Sequence, residues 1–298
     1  MKFIYQYPDT TGPDVDMLDS GSVADVARAL DQSGWSAFAF TEHPAPASRW
    51  LNAGGHQTLD PFVALGHAAA VTTNIRLLTY LCVVPYRNPA LLAKSAATVD
   101  KLSNGRFILG VGTGYLKPEF RALGVDIEER NELFDEALDV LPLHWSGEPF
   151  NYSGKHFEAR DIIALPKPVQ NPIPIWIGGN AKLTLRRVAE KAQGWMPLLG
   201  PAEMFNVTRS PHLEALDSVV AKWAELKEMA GDRAKDLDVV YSYIDETIHT
   251  PDVDVARHKD MFASIEAMGA THIIVAGRPA APSATMSFIE TFASTYIN

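Results

Sequence analysis

Eight short apolar runs recur along this 298-residue chain, and a helical pattern follows nearly every one of them. They occupy residues 3–7, 37–40, 75–84, 107–111, 175–177, 195–198, 239–244 and 272–276. Each is rich in β-branched or aromatic residues and lacks strict alternation, the pattern of strands buried on both faces of a parallel sheet. Eight βα units without a Rossmann fingerprint predict an α/β fold, a closed (β/α)8 TIM barrel that uses residues 1–298 as one domain. In such a barrel the chemistry lies at the carboxyl ends of the strands.

The helices are legible from their period. Val23, Val26, Ala27 and Leu30 line one face behind a Ser22-x-x-Asp25 capping pattern, and Phe134, Ala137, Leu138 and Leu141 repeat that spacing. Thr250-Pro251 predicts the opening of a helix that carries Phe262, Ile265 and Met268. Further helices are predicted over 61–70, 91–102, 183–191, 212–229 and 283–296. Three connections are long: 42–60 after strand 2, 144–174 before strand 5, and 199–210. The first and last follow strands and should overhang the mouth, where long loops serve function.

Composition narrows the partners. With 36 acidic against 26 basic residues the net charge is −10, which disfavours nucleic acid and anionic membrane surfaces. The lone Cys82 excludes intramolecular disulfides and thiolate metal clusters. No signal-peptide pattern opens the chain, and no apolar stretch reaches the ~20 residues of a membrane span. These features predict a cytoplasmic protein that makes no membrane contact.

Several clusters fall at strand ends. The second run leads into Thr41-Glu42-His43-Pro44, which would set an imidazole and a carboxylate at the mouth. From position alone, acid/base work and simple loop packing fit equally well. Alternating Gly110, Gly112 and Gly114 in the fourth run permit close approach of a ring or phosphate, but Tyr115 stands where the dinucleotide fingerprint needs glycine. A packing or bending device is the simpler reading of those glycines. The turn Gly178-Gly179-Asn180, before a helix carrying Lys182, Arg186 and Arg187, offers free N–H groups to an anion. Asn180 as an ordinary helix cap is the alternative there, and Arg278 after the eighth strand competes for the anion. His56 in the first long loop either meets substrate or orders that loop. The other histidines lack metal-ligand spacing, so no metal site is expected.

Together these segments resemble the luciferase-like monooxygenase superfamily, and most closely its coenzyme F420-dependent branch. The resemblance covers nearly all of residues 1–200. It rests on Thr41-Glu-His-Pro-Ala-Pro46, Trp50-Leu-Asn-Ala-Gly-Gly-His56, the stretch from Pro85 to Lys94, Leu102 to Leu116, Pro166 to Gln170, Ile175 to Asn180, and Gly194-Trp-Met-Pro197. It implies a cofactor ring at the barrel mouth with His43 beside it as catalytic acid/base and Glu42 as its companion. Thr41 would line the same cofactor site. A non-prolyl cis peptide within Thr79-Tyr80-Leu81 would back the ring, Gly114 and Tyr115 would flank it, and Gly178-Gly179-Asn180 would hold its phosphate. Trp50 and His56 would meet the substrate. Relatives often carry Asp at the position of Glu42, and luciferases proper carry a second histidine where this chain has Pro44.

The resemblance implies an oxidoreductase that transfers a hydride between coenzyme F420 and a small-molecule substrate, in a homodimer packed through barrel helices. The alternatives are an FMN-dependent two-component monooxygenase, served by a separate reductase, and a non-catalytic flavin-binding protein of the same fold.

Overall fold

Backbone hydrogen bonds close the predicted runs into a ring. The computed structural model describes every residue except 9–13, 201, 203, 204, 206, 207, 209, 279 and 280. Its strands are β1 Lys2–Gln6, β2 Ala37–Phe40, β3 Arg76–Thr79, β4 Cys82–Val83, β5 Phe107–Gly112, β6 Phe150–Ser153, β7 Glu158–Ile162, β8 Ile175–Gly178, β9 Gly194–Met196, β10 Asp238–Tyr243 and β11 His272–Ala276. One parallel sheet runs β3-β2-β1-β11-β10-β9-β8-β5-β4, and β3 also pairs with β5, so the sheet closes as a (β/α)8 barrel.

In β2 the alternation missing from hydrophobicity is present in size. In β2, Ala37 and Ala39 belong to the packed barrel interior with Ile4, Leu78, Ile108, Trp176, Met196, Val240 and Ile274. Phe38 and Phe40 point the other way, into the layer shared with Val26, Leu65, Leu92, Phe134 and Val188 of the surrounding helices. The two alanines of β2 leave interior room for larger neighbours such as Trp176 and Met196, as the layered filling of a narrow barrel requires.

The third run is one barrel strand in two pieces. Its lower half pairs Leu77 with Phe107 and Leu78 with Ile108, and its upper half pairs Cys82 with Val111 and Val83 with Gly112. Between the halves the Tyr80–Leu81 peptide is cis, within the three residues singled out above. Leu81 then lies across two neighbouring strands. A Cβ on Gly112 would stand 2.5 Å from Leu81 Cδ1, and one on Gly178 would stand 2.3 Å from Leu81 Cδ2. Only glycine leaves room for Leu81 at both positions.

Helix starts follow side-chain chemistry. The Ser22 hydroxyl accepts from Asp25 N–H before helix Val23–Gln32, Asp60 accepts from Phe62 and Val63 N–H before Pro61–Ala69, and Asn88 accepts from Ala90 N–H before Pro89–Leu102. Two expected starts move. The helix expected from 212 begins at Leu216, because Pro211 O accepts from Asn180 and Leu213 O from Gly200 N–H. Thr250 does not cap helix Val255–Ala267; Asp254 precedes it in a left-handed conformation. The long 144–174 connection holds the antiparallel hairpin β6–β7. Glu136 anchors its turn to helix Arg130–Ser146 by accepting from the N–H groups of Lys155, His156 and Phe157. Among the described residues no helix is long and apolar enough to cross a membrane, and no cluster of His, Cys, Asp and Glu could hold a metal ion.

Candidate active site

His43 leaves the end of β2 and is fixed from both sides. Its backbone N–H donates to Thr58 Oγ1 at 2.8 Å, and the Thr58 hydroxyl returns a bond to His43 O at 3.3 Å. Its ring Nδ1 lies 3.1 Å from Glu119 Oε2. Glu119 is fully buried in the first turn of helix Lys117–Ala122. The same carboxylate accepts from the Tyr86 hydroxyl at 2.9 Å and from Ala45 N–H at 3.2 Å. Burial, then the negative charge of Glu119, pushes the Tyr86 phenol far above its ordinary range, so it stays a donor.

The long loop after β2 folds back over this imidazole. Trp50 and His56 pack on His43 with ring centroids 4.5 Å and 5.0 Å away, and Tyr115 approaches from the end of β5 at 5.9 Å. The Tyr115 hydroxyl lies 3.5 Å from His43 Nε2, the outer edge of hydrogen-bond range.

In front of His43 opens a cavity of about 400 Å³, lined by Thr41, His56, Tyr80, Leu81, Tyr115 and Met196 among others. That volume is within the usual range for a small-molecule site. Through Gly114, Tyr115, Gly178 and Gly179 it continues into a more polar recess of about 190 Å³. The recess receives Arg130, Asn131, Thr184, Thr208 and Ser210.

The turn after β8 shapes that recess. Gly179 takes φ +121°, a conformation side chains rarely adopt, and helix Lys182–Lys191 starts behind Ala181, which supplies no side-chain cap. The first N–H groups of the helix therefore face the recess. The Thr184 hydroxyl is there too, on a residue 9% exposed. A flat ring over Leu81 with a phosphate in the recess fits this layout, because Gly112 and Gly178 keep side chains out of the first space and the helix start supplies donors to the second.

Three expectations require correction. Glu42 does not orient His43: its carboxylate ion-pairs with Arg87 and accepts from Val83 N–H at 2.7 Å, tying β2 to the upper half of the broken strand. The carboxylate beside His43 is Glu119, distant in sequence and brought in by the fold. Thr79 is fully buried, with its hydroxyl on Gly110 O at 2.7 Å, so it meets no ligand. Asn180 lines the recess with the two glycines but does not cap the helix, which starts behind Ala181. Its Nδ2 donates to Leu198 O and Pro211 O, and its Oδ1 accepts from Leu198 N–H, all at 2.8 Å.

The cations also sort differently. Arg187 grips Asp135 at 2.7 and 2.9 Å and Asn131 at 3.0 and 3.2 Å, so it braces the helix. Lys182 and Arg186 are exposed. Arg278 is paired with Glu246 at 3.1 Å and lines neither cavity. Arg130, which sequence reasoning did not single out, reaches the recess. Glu119 was missed as well, although its place in the first helical turn after a strand end is a readable signal.

A family model for luciferase-like monooxygenases matches residues 1–258. The uncharacterized protein Rv0953c of Mycobacterium tuberculosis is 38% identical over 141 residues, 47% of this chain and 50% of that protein. The chain thus spans about half the length of the first curated relatives it matches. An FMNH2-dependent dimethylsulfone monooxygenase of Pseudomonas putida is 27% identical over 206 residues, 65% of this chain and 55% of that protein. The coenzyme F420-dependent tetrahydromethanopterin reductase of Methanopyrus kandleri superposes with a TM-score of 0.69 at 18% identity, over 99% of this chain and 98% of that one. That last likeness is one of fold.

Proposed function

The chain belongs to the luciferase-like monooxygenase family, and on that premise we propose that it transfers a hydride between coenzyme F420 and a small organic substrate. The observation that carries this reading is the imidazole of His43, held by Glu119 at the rim of an apolar slot. Hydride transfer at an alcohol or carbonyl carbon must be matched by proton transfer at its oxygen, and a fixed imidazole beside the ring supplies that second step. The bound cofactor would supply the hydride chemistry. Leu81 would support its ring, and the start of helix Lys182–Lys191 with Thr184 and Arg130 would receive its phosphate. Trp50, His56 and Tyr115 would shape the space for substrate against His43.

An FMN-dependent monooxygenase is the second reading, favoured by the dimethylsulfone monooxygenase among the relatives. Equilibrium titration of the purified protein with both cofactors decides between the two. The expected result is at least tenfold preference for F420, a difference of only ~1.4 kcal/mol. Tighter binding of FMN would move the protein to the oxygen-using class.

We also infer a homodimer. Val63 and Leu91, 73% and 67% exposed, stand on adjacent barrel helices whose only carboxylate is the buried Asp100. In a chain of net charge −10, that face brings two copies together with least repulsion. The single, buried Cys82 suits a reducing cytoplasm.

A further inference from the structure

We propose that Tyr80, latched across the barrel mouth by Ser242, sets the shape of substrate this site accepts: a flat or slender molecule enters, and a globular one is turned away. The inference deepens the reading of the cavity as the cofactor and substrate site, and rests on it. Tyr80 directly follows β3, and its backbone N–H donates to Phe40 O at 2.6 Å. Its hydroxyl lies 2.6 Å from Ser242 Oγ. Ser242 stands two residues beyond the interior Val240 on β10, so it faces the barrel axis as well. Around the ring, β10 is four strands from β3 in either direction. The phenol therefore spans the mouth from one wall to the opposite one, packed against the barrel interior.

The walls of the cavity reflect that bar. They come from the ends of β1, β2, β4, β5, β8 and β9, through residues such as Gln6, Thr41 and Met196. Among the described residues, none of β10 or β11, or of the turns that follow them, lines it. Tyr80 stands in that gap and screens Ser242 from the cavity. The space of about 400 Å³ has to hold a flat cofactor ring together with the substrate. Gly112 and Gly178 keep side chains off Leu81, and Trp50 and His56 close over His43. What remains beside the ring is a slot. A rigid globular skeleton needs depth that only displacement of Tyr80 gives, and swinging the phenol aside breaks its bond to Ser242.

The test uses two rigid alcohols with the same number of carbons, flat 2-naphthol and globular 2-adamantanol, titrated by calorimetry into the cofactor-free protein. Wild type should bind 2-naphthol roughly tenfold or more tighter, as a single misfitting methylene already achieves in an apolar pocket. Tyr80→Ala should abolish that preference. Ser242→Ala and Tyr80→Phe should each relax it about fivefold, the contribution of one hydrogen bond. Their double variant should relax it no further, because both delete the same bond, and Ser242→Thr should keep the wild-type preference. Equal binding of the two probes by wild type, an unchanged preference in Tyr80→Ala, or additive effects of the two latch variants would overturn the proposal. The latch variants carry the test if Tyr80→Ala does not fold. In the cofactor-loaded enzyme, kcat/KM for 2-adamantanol relative to 2-propanol should rise roughly tenfold in Tyr80→Ala. If no alcohol is oxidised, the proposed reaction fails, while the binding preferences still decide the role of Tyr80.

Discussion

The buried carboxylate of Glu42 forms an ion pair with the half-buried Arg87 at the break in the third barrel strand, and its second oxygen takes the N–H of Val83. The pair holds the end of β2 against β4, and so sets the height at which Tyr80 and Leu81 face the cavity. Glu42→Gln removes the charge and leaves Arg87 with Asp60, at 3.4 Å, as its remaining carboxylate partner. The expected loss is about 2 kcal/mol of stability, read as a lower urea midpoint, with turnover of the surviving folded protein within a few-fold of wild type. A stable variant with turnover lowered a hundredfold would return Glu42 to the catalytic group.

The glycine turn after β8 gives a second test. At φ +121° a β-branched residue is strained, and its side chain would push toward Thr184, whose Oγ1 lies 3.3 Å from the Cβ position. Gly179→Val should weaken cofactor binding at least tenfold in an equilibrium titration. Arg278→Ala should bind as wild type, since Arg278 already holds Glu246 outside both cavities. The opposite pattern would put the phosphate beyond the eighth barrel strand.

His43→Ala should lower turnover by ~10²–10⁴-fold, the range for a general acid/base group. Cofactor affinity should move far less, because the slot over Leu81 and the helix start are untouched. Single-turnover oxidation of reduced cofactor reads the chemical step directly. If turnover were near normal in this variant, His56, 5.0 Å away, would be the next residue to test.

The barrel floor carries a pH-dependent liability. Burial, then the charges of Lys2 and Arg76, push His272 down to about 3 from the usual value near 6.5. Between those limits the unfolded chain binds a proton that the native protein refuses, so this residue's contribution to stability falls as the pH drops below about 6.5 and levels off near 3. The full effect is on the order of 5 kcal/mol. Urea midpoints measured from pH 7 to pH 4 should decline less steeply in His272→Gln than in wild type. Parallel slopes would show that other buried histidines dominate.

Val63→Glu with Leu91→Glu should yield a monomer in sedimentation velocity at micromolar concentrations where wild type sediments as a dimer. The double variant should keep its cofactor affinity, because neither residue lines the cavities. A wild-type monomer in the same range would sink the dimer assignment.

The order of the barrel was legible in the chain because strands buried on both faces declare themselves as apolar runs, and because Ser22, Asp60 and Asn88 mark their helix starts by purely local hydrogen bonds. The hairpin β6–β7 was not legible, since its mostly exposed strands carry too few apolar residues to show a period. His43 could be placed at the mouth from sequence because it directly follows a strand end. Its working partner could not. Adjacency in the chain pointed to Glu42, but successive residues of an extended segment point to opposite sides, and Glu42 turned toward Arg87 and Val83. Glu119 and Thr58 converge on His43 from two other segments, and Tyr86 reaches Glu119 from a third. Such convergence depends on barrel closure and on the path of the loop from 42 to 60, and no period or motif encodes either. The local sequence determined the order of the barrel strands and most of the helices between them; the tertiary structure alone decided which carboxylate meets the imidazole, because that contact joins groups 76 positions apart.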